Sequence, residues 1–487
     1  MSGKKITSKR VVIEPERSIP VTAKVDVLVA GGGAAGFGAA IGAARTGART
    51  MVVERNNCLG GTATAGMMAN LNVTGPHLIG VAHELLCRLA DIDRAWFGRV
   101  VTFSPELMKQ VMLEMLEEEG VKPLFYTMIS QPIVEDNTVK GVIVENKSGR
   151  QAILSKAVVD CTGDADLAYR AGAPCTVGRE EDHKTRPMTL LFRLGNVGID
   201  EIIEYCREHP DQFIPSPYWN VLQKEKKVLR IEGFYDIMEA ARKRGELDSN
   251  IHYLRFEGVD TENGTIIVNT SRVYDLDGTD AQQLSIGEIE ARRQMMQILQ
   301  VIRKWVPGCE DAFLINSATN LGVRETRRII GEYVFTHEDA GNKVRFNDTV
   351  ARLWRRAGHK WLAGMPGVEM HSPDAGEGLR DEAFNQRMKT YDPDKIPPPP
   401  EKDFYFPYRS LIPQKLDGIL VAGRSMSVSH LGDTWTRGIM IVMVCGQAAG
   451  TAAALAAKDN VEIRGLDISR LQKELIDQGV ELGEEGT

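Results

Sequence analysis

Short apolar runs separated by glycine clusters mark both ends of the chain, while charged amphipathic segments fill its middle. Val25–Ala30 (VDVLVA) is the continuous apolar run expected of a strand buried on both faces. A glycine cluster follows, then a small-residue helix to about Thr46, a stop at Gly47, and a second apolar run, ARTMVVE, ending at Glu54. That succession predicts a βαβ unit. Pro105–Glu119 has helical periodicity between Ser104, placed to cap it, and Gly120. PLFYTMISQPIVE and KGVIVENKSG are strand-like runs separated by the turn residues Asp136 and Asn137, and ILSKAVVDCTG is a further apolar run ending at Gly163. Between about Arg186 and Leu314 the texture changes to charged helices and strand candidates such as TIIVNTSRVY. Residues 331–405 read as irregular and end in the stiff piece IPPPP; GILVAGRSMS then returns as strand plus glycine turn, before an Ala-rich helix. Strands from both ends are therefore expected to build one sheet. The division is an N-terminal segment 1–24, a first core portion 25–185, an inserted α+β domain 186–314, a connecting region 315–405 and a second core portion 406–487.

Composition narrows the class. The 487 residues suffice for two or three domains with a core that needs no disulfides. The net charge of −7 and the lack of a basic block argue against nucleic acid as a partner. Seven widely spaced cysteines without a Cys-x-x-Cys argue against a disulfide framework and against a thiolate metal site, and no His/Asp/Glu spacing calls for a metal. The charged N-terminus lacks the apolar stretch of a signal peptide, so a cytoplasmic location is expected. Gly438–Ala457 has twenty residues without a charge, enough to span a bilayer, but its Ala/Gly content and Gln447 point to a buried helix packed against the sheet. No membrane partner is expected.

Gly31-Gly32-Gly33-Ala34-Ala35-Gly36 forms a G-x-G-x-x-G between a strand and a helix, and Glu54 stands eighteen residues after Gly36. Glycines allow the tight turn and the approach of backbone to a diphosphate, the helix N-terminus offers free N–H groups, and the acid suits ribose hydroxyls. Dinucleotide binding is the expectation. A second glycine turn at Gly60-Gly61, with hydroxyls at Thr62 and Thr64, follows Arg55.

These segments, with VVDCTGDADLAYRAGAP, LGVRETRRIIGEYVFT, PYRSLIPQKLDGILVAGRSMS and GQAAGTAAALA, resemble the FAD-dependent oxidoreductase family with a glutathione-reductase-type FAD domain, a distant relative of the fumarate reductase flavoproteins. The resemblance covers roughly 25–180 and 310–460 and implies an α/β fold: a Rossmann-like FAD-binding domain from both chain ends with an inserted cap. It implies FAD as cofactor, with contacts from Gly31, Gly33, Ala34, Ala35, Gly36, Glu54, Arg55, Gly60, Gly61 and Thr62. It further implies adenine contacts near Met128 and Ile129, and contacts from Thr162, Gly163, Asp164, Gly423 and Arg424. A turn at Gly446-Gln447-Ala448-Ala449 is expected to aim a helix N-terminus at the flavin pyrimidine edge.

For chemistry, Arg324, Arg327 and Arg328 are expected on a helix, with Arg324 as a carboxylate clamp or a positive charge stabilising reduced flavin and Arg328 in a structural role. His430 is the candidate proton acceptor, Arg437 a holder of an anionic substrate, Trp435 part of a substrate wall and His371 a further candidate. The expected activity is a dehydrogenase or oxidase passing a hydride from a small polar molecule to flavin N5. The alternatives are a reductase of an activated double bond and an electron-transfer subunit. The electron acceptor stays open between oxygen, a quinone and a carrier protein, and the chain is compatible with a homo-oligomer.

Overall fold

The computed structural model describes residues 5–6, 12–71, 79–97, 101–213, 229–356 and 401–483. Its larger sheet runs Lys122–Leu124, Thr50–Val53, Val21–Ala30, Gly149–Asp160, Thr138–Asn146, Met128–Glu135. The first four pair in parallel and the last two form an antiparallel hairpin with their neighbour. Asp136 and Asn137 turn that hairpin with φ of 46° and 59°, the left-handed pair that a two-residue loop needs. Ile419–Val421 pairs in parallel with Val158–Asp160, so one sheet is built from both ends of the chain, as expected.

The Ala-rich segment is the helix Ile439–Asp459, and nearly all of it is buried. It packs chiefly on the glycine-loop helix Ala34–Arg45 and also on the strands Gly149–Asp160 and Val21–Ala30 of the sheet. Gly38, Gly42, Gly446 and Gly450 permit this: a Cβ at any of them would collide with a backbone carbonyl of the facing helix. The two backbones touch, which only residues without a side chain allow. Gln447 is accommodated because its Oε1 accepts from the Val81 N–H at 3.0 Å. An apolar helix long enough to cross a membrane is thus part of the core of the fold.

A second core belongs to the middle of the chain. Five antiparallel strands lie in the order Leu229–Gly233, Leu254–Asp260, Thr265–Val268, Phe192–Gly195, Phe313–Ser317. The helix Ala281–Trp305, capped by Asp280, contributes Ile298 and Ile302 to the core that also holds Phe192, Leu194 and Phe256. Two expectations are corrected. Residues 331–405 are not all irregular, since Thr349–Arg356 pairs with Glu401–Pro407; 357–400 lie outside the described residues. The three arginines do not share a helix, because Arg327–Ile329 is a strand paired with Cys175–Val177. Tertiary pairing overrides local propensity there: Arg328 is fully buried and donates to the carbonyls of Val428 and Gly178 at 2.9 and 2.7 Å.

Candidate functional site

A cavity of about 830 Å³ opens between the C-terminal ends of the parallel strands and the smaller domain. One end is made of backbone. Gly31 has φ of +100°, and its N–H donates to the Val53 carbonyl at 2.8 Å; a side chain there would strike Cys161. A Cβ on Gly36 would collide with the Gly31 carbonyl. Gly33 caps the helix Ala34–Arg45 and differs from both, because a Cβ on it meets nothing within 4 Å and points into open cavity. Glu54 ties this loop to the next, accepting from the Gly32 N–H at 2.6 Å and from the Asn56 N–H and amide at 2.8 Å each. Gly60 shapes that second loop from outside the cavity wall, with φ of +92° and its N–H on the Gly32 carbonyl.

Of the residues the resemblance implies, Gly31, Gly33, Ala34, Ala35, Glu54, Arg55, Gly61, Thr62, Met128, Ile129, Thr162, Gly163, Asp164, Gly423 and Arg424 line the cavity. Arg424 joins three of its segments: Nε donates to the Gly163 carbonyl at 2.9 Å, Nη1 to the Val323 carbonyl at 2.7 Å, and Nη2 to Asp164 at 2.6 Å. Asp160, which sequence reasoning missed, organises the turn from behind. It accepts from the Thr162 N–H and hydroxyl on one oxygen and from the N–H groups of Leu167 and Ala168 on the other. Burial pushes its carboxyl above the usual range against those hydrogen bonds. The open space at Gly33, beside a helix N-terminus and Glu54, fits the diphosphate and ribose of a dinucleotide.

The expectation for Gly446-Gln447-Ala448-Ala449 is corrected. These residues are the middle of the helix Ile439–Asp459, and Gly446 packs on Ala35. The helix N-terminus that does line the cavity is Gly438-Ile439-Met440-Ile441, eight residues earlier in the chain.

The other end is lined by guanidinium groups from three places, Arg255 on a strand of the smaller domain, Arg324, and Arg437 at the entry to the Ala-rich helix. Arg324 donates to the Pro187 carbonyl. Burial first, then the positive charges of Arg272 and Arg437, push its pKa well below the ordinary arginine value. Arg272 stands close by, donating to Tyr253 at 2.7 Å and to Thr189 at 3.1 Å. Arg255 lies 2.8 Å from Glu257 and 3.2 Å from Glu232. Sequence reasoning missed Arg255, yet a signal was present. Leu229-Arg230-Ile231-Glu232-Gly233 is echoed by Leu254-Arg255-Phe256-Glu257-Gly258, and antiparallel register sets Arg230 against Glu257 and Glu232 against Arg255.

His430 does not line the cavity and is reassigned to a buried ionic cluster. Its Nδ1 lies 2.8 Å from Glu325, which also pairs with Arg328. Arg186, fully buried, lies 3.2 Å from Asp433 and donates to the His430 carbonyl at 2.9 Å. Burial alone would raise the Glu325 carboxyl; the hydrogen bond with His430 and the charges of Arg328 and Arg186 outweigh it and hold the carboxyl below the usual range. Through Glu325 the cluster adjoins the Val323-Arg324 segment of the cavity wall. Trp435 is likewise off the wall, donating to His337 at 2.9 Å, and His371 lies outside the described residues.

Residues 26–475 match the model of the FAD dependent oxidoreductase family. A thiamine thiazole synthase of Aeropyrum pernix is 35% identical over 122 residues, which span 24% of this chain and 43% of that protein. Among solved structures, a geranylgeranyl bacteriochlorophyll reductase-like protein of Thermoplasma acidophilum is 13% identical, with a TM-score of 0.45 over 94% of this chain and 84% of that one. The myxobacterial chondrochloren halogenase CndH is 10% identical, with a TM-score of 0.44 over 93% and 78%. The family match extends from the first long strand to the last helix, and it agrees with the glycine-lined part of the cavity: the chain belongs to the FAD dependent oxidoreductase family, and FAD is its cofactor.

Proposed function

We propose that the protein oxidises a small, polar, anionic organic molecule held in the arginine-lined end of the cavity. When bound, the flavin supplies a two-electron acceptor for a hydride. The chain's own residues do the rest. Arg324 and Arg437 hold the anionic group, with Arg255 completing the positive wall. The Glu325–His430–Arg186 cluster keeps the wall in register with the nucleotide-binding end. The inserted domain covers that end of the cavity and keeps bulk water from weakening the electrostatic hold.

The single observation that supports this reading is continuity: one cavity joins the glycine loop to three guanidinium groups carried by different parts of the chain. The test is anaerobic mixing of the FAD-loaded protein with amines, polyols, sugars and hydroxy acids, followed at the flavin absorbance. Bleaching by an anionic member and not by its neutral analogue is the expected result. Bleaching by neutral compounds alone would overturn it, and reoxidation of chemically reduced protein by an enoate, with no bleaching by any compound, would reverse the direction.

A further inference from the structure

Two asparagines on the cavity wall, both 2% exposed, carry amide atoms without a partner among the described residues: Nδ2 of Asn70 and Oδ1 of Asn269. A buried polar atom left unpaired costs about 1–3 kcal/mol, so such atoms beside a cavity mark what a ligand satisfies. The orientation of the Asn269 amide is dictated by its other end. Asn269 Nδ2 faces Glu257 Oε1 at 3.2 Å, and a carboxylate accepts only, so the carbonyl oxygen of Asn269 must be the free end. Glu257 is itself held by Arg255 at 2.8 Å. Asn70 Oδ1 accepts from the buried Thr102 hydroxyl at 2.8 Å, which leaves its NH₂ as the free end. Asn269 Nδ2 also lies 3.6 Å from the sulfur of Met68, two residues before Asn70, so the two amides belong to one neighbourhood. The Asn269 N–H donates to the Arg255 carbonyl at 2.9 Å, which sets that neighbourhood beside the positive wall.

The free ends are therefore one donor and one acceptor. An ammonium group offers donors only and a ketone acceptors only, whereas a hydroxyl donates and accepts from a single atom. We propose that Asn70 and Asn269 read a hydroxyl group on the substrate, which makes that substrate a hydroxycarboxylate. The proposal rests on the anionic-substrate reading above and adds to it the second functional group.

The test is isothermal titration of the oxidised, FAD-loaded protein with matched pairs of acids that differ by one hydroxyl: lactate with propionate, mandelate with phenylacetate, glycolate with acetate. In at least one pair the hydroxy acid binds about tenfold more tightly or better, since its deoxy partner leaves both amides unpaired. Asn70→Leu brings that ratio to within about threefold of unity. Asn269→Leu does the same, and Asn70→Leu alone suffices should Asn269→Leu fail to fold for want of a partner on Glu257. Ratios near one in every pair, or a ratio that survives Asn70→Leu, would overturn the hydroxyl proposal while leaving the anionic reading in place. Absence of binding by all six acids would overturn both.

Discussion

One part of the cavity wall is built around glycine backbone, and another carries Arg255, Arg324 and Arg437. Gly31, Gly33, Gly163 and Gly423 present main chain where a side chain would obstruct, three of them with φ between +84° and +105°. Arg255, Arg324 and Arg437 present guanidinium groups carried by three separate parts of the chain. The backbone end is satisfied within itself, through Glu54 and Asp160. At the charged end Arg255 pairs with Glu257 and Glu232, whereas Arg324 is held below its ordinary basicity by burial and by like charges. A site at rest with itself suits a resident cofactor, and a site under electrostatic repulsion suits a visiting anion that relieves it.

Five substitutions break or sharpen that contrast. The largest effect is expected at the backbone end. Gly33→Val leaves the fold intact, because its Cβ meets no protein atom, yet fills the space beside the helix N-terminus; FAD per chain, read by absorbance, falls close to zero at an unchanged circular dichroism spectrum. Gly36→Val, which collides with the Gly31 carbonyl, loses the folded state as well. Next, Glu325→Gln removes the negative charge between Arg186, Arg328 and His430 and lowers stability by about 3–5 kcal/mol in urea unfolding, as breaking a buried ion pair does.

A smaller effect lies in the inserted domain. Burial, with Arg242 adding to it, pushes the His252 imidazole down to about 4. The folded state then binds fewer protons than the unfolded chain, so the contribution is complete above pH 6.5 and is lost as pH falls from 6.5 towards 4. It amounts to at most about 3 kcal/mol, and His252→Gln flattens the stability profile between pH 7.5 and 4.5 by that amount. The smallest change in stability is expected at Arg324. Arg324→Met leaves urea stability within about 1 kcal/mol of the parent or raises it, since a repelled, buried charge is removed, while carboxylate affinity by titration calorimetry drops by at least about tenfold.

The same contrast explains what the sequence disclosed. Gly31, Gly33 and Gly36 are demanded by backbone geometry over six consecutive residues, so spacing alone reveals them. The Asp136-Asn137 turn and the Ser104 cap are local in the same way, and both match the structure. The Ala-rich helix was legible as a buried helix, but its packing on the glycine-loop helix was not, because Gly38 meets Met443 and Gly446 meets Ala35 across some four hundred residues of chain. Arg327 and Arg328 mislead because helical spacing cannot foresee that Cys175–Val177 offers a strand to pair with. His430 misleads for another reason: a histidine after a flavin motif has the right chemistry, yet Glu325 and Arg186 reach it from other parts of the chain. Asn70, Asn269 and Arg255 carry no spacing signal towards one another, and only the fold brings them to one wall.

The central claim, that one cavity joins a flavin to an anion-holding wall, is tested most directly by anaerobic reduction of the FAD-loaded protein. The first acid found to bleach the flavin is compared with its own methyl ester, in the parent and in Arg324→Met. The account predicts that the acid bleaches the parent, that the ester does so at least about tenfold more slowly, and that Arg324→Met erases the difference. An ester that bleaches the parent as fast as its acid would contradict it.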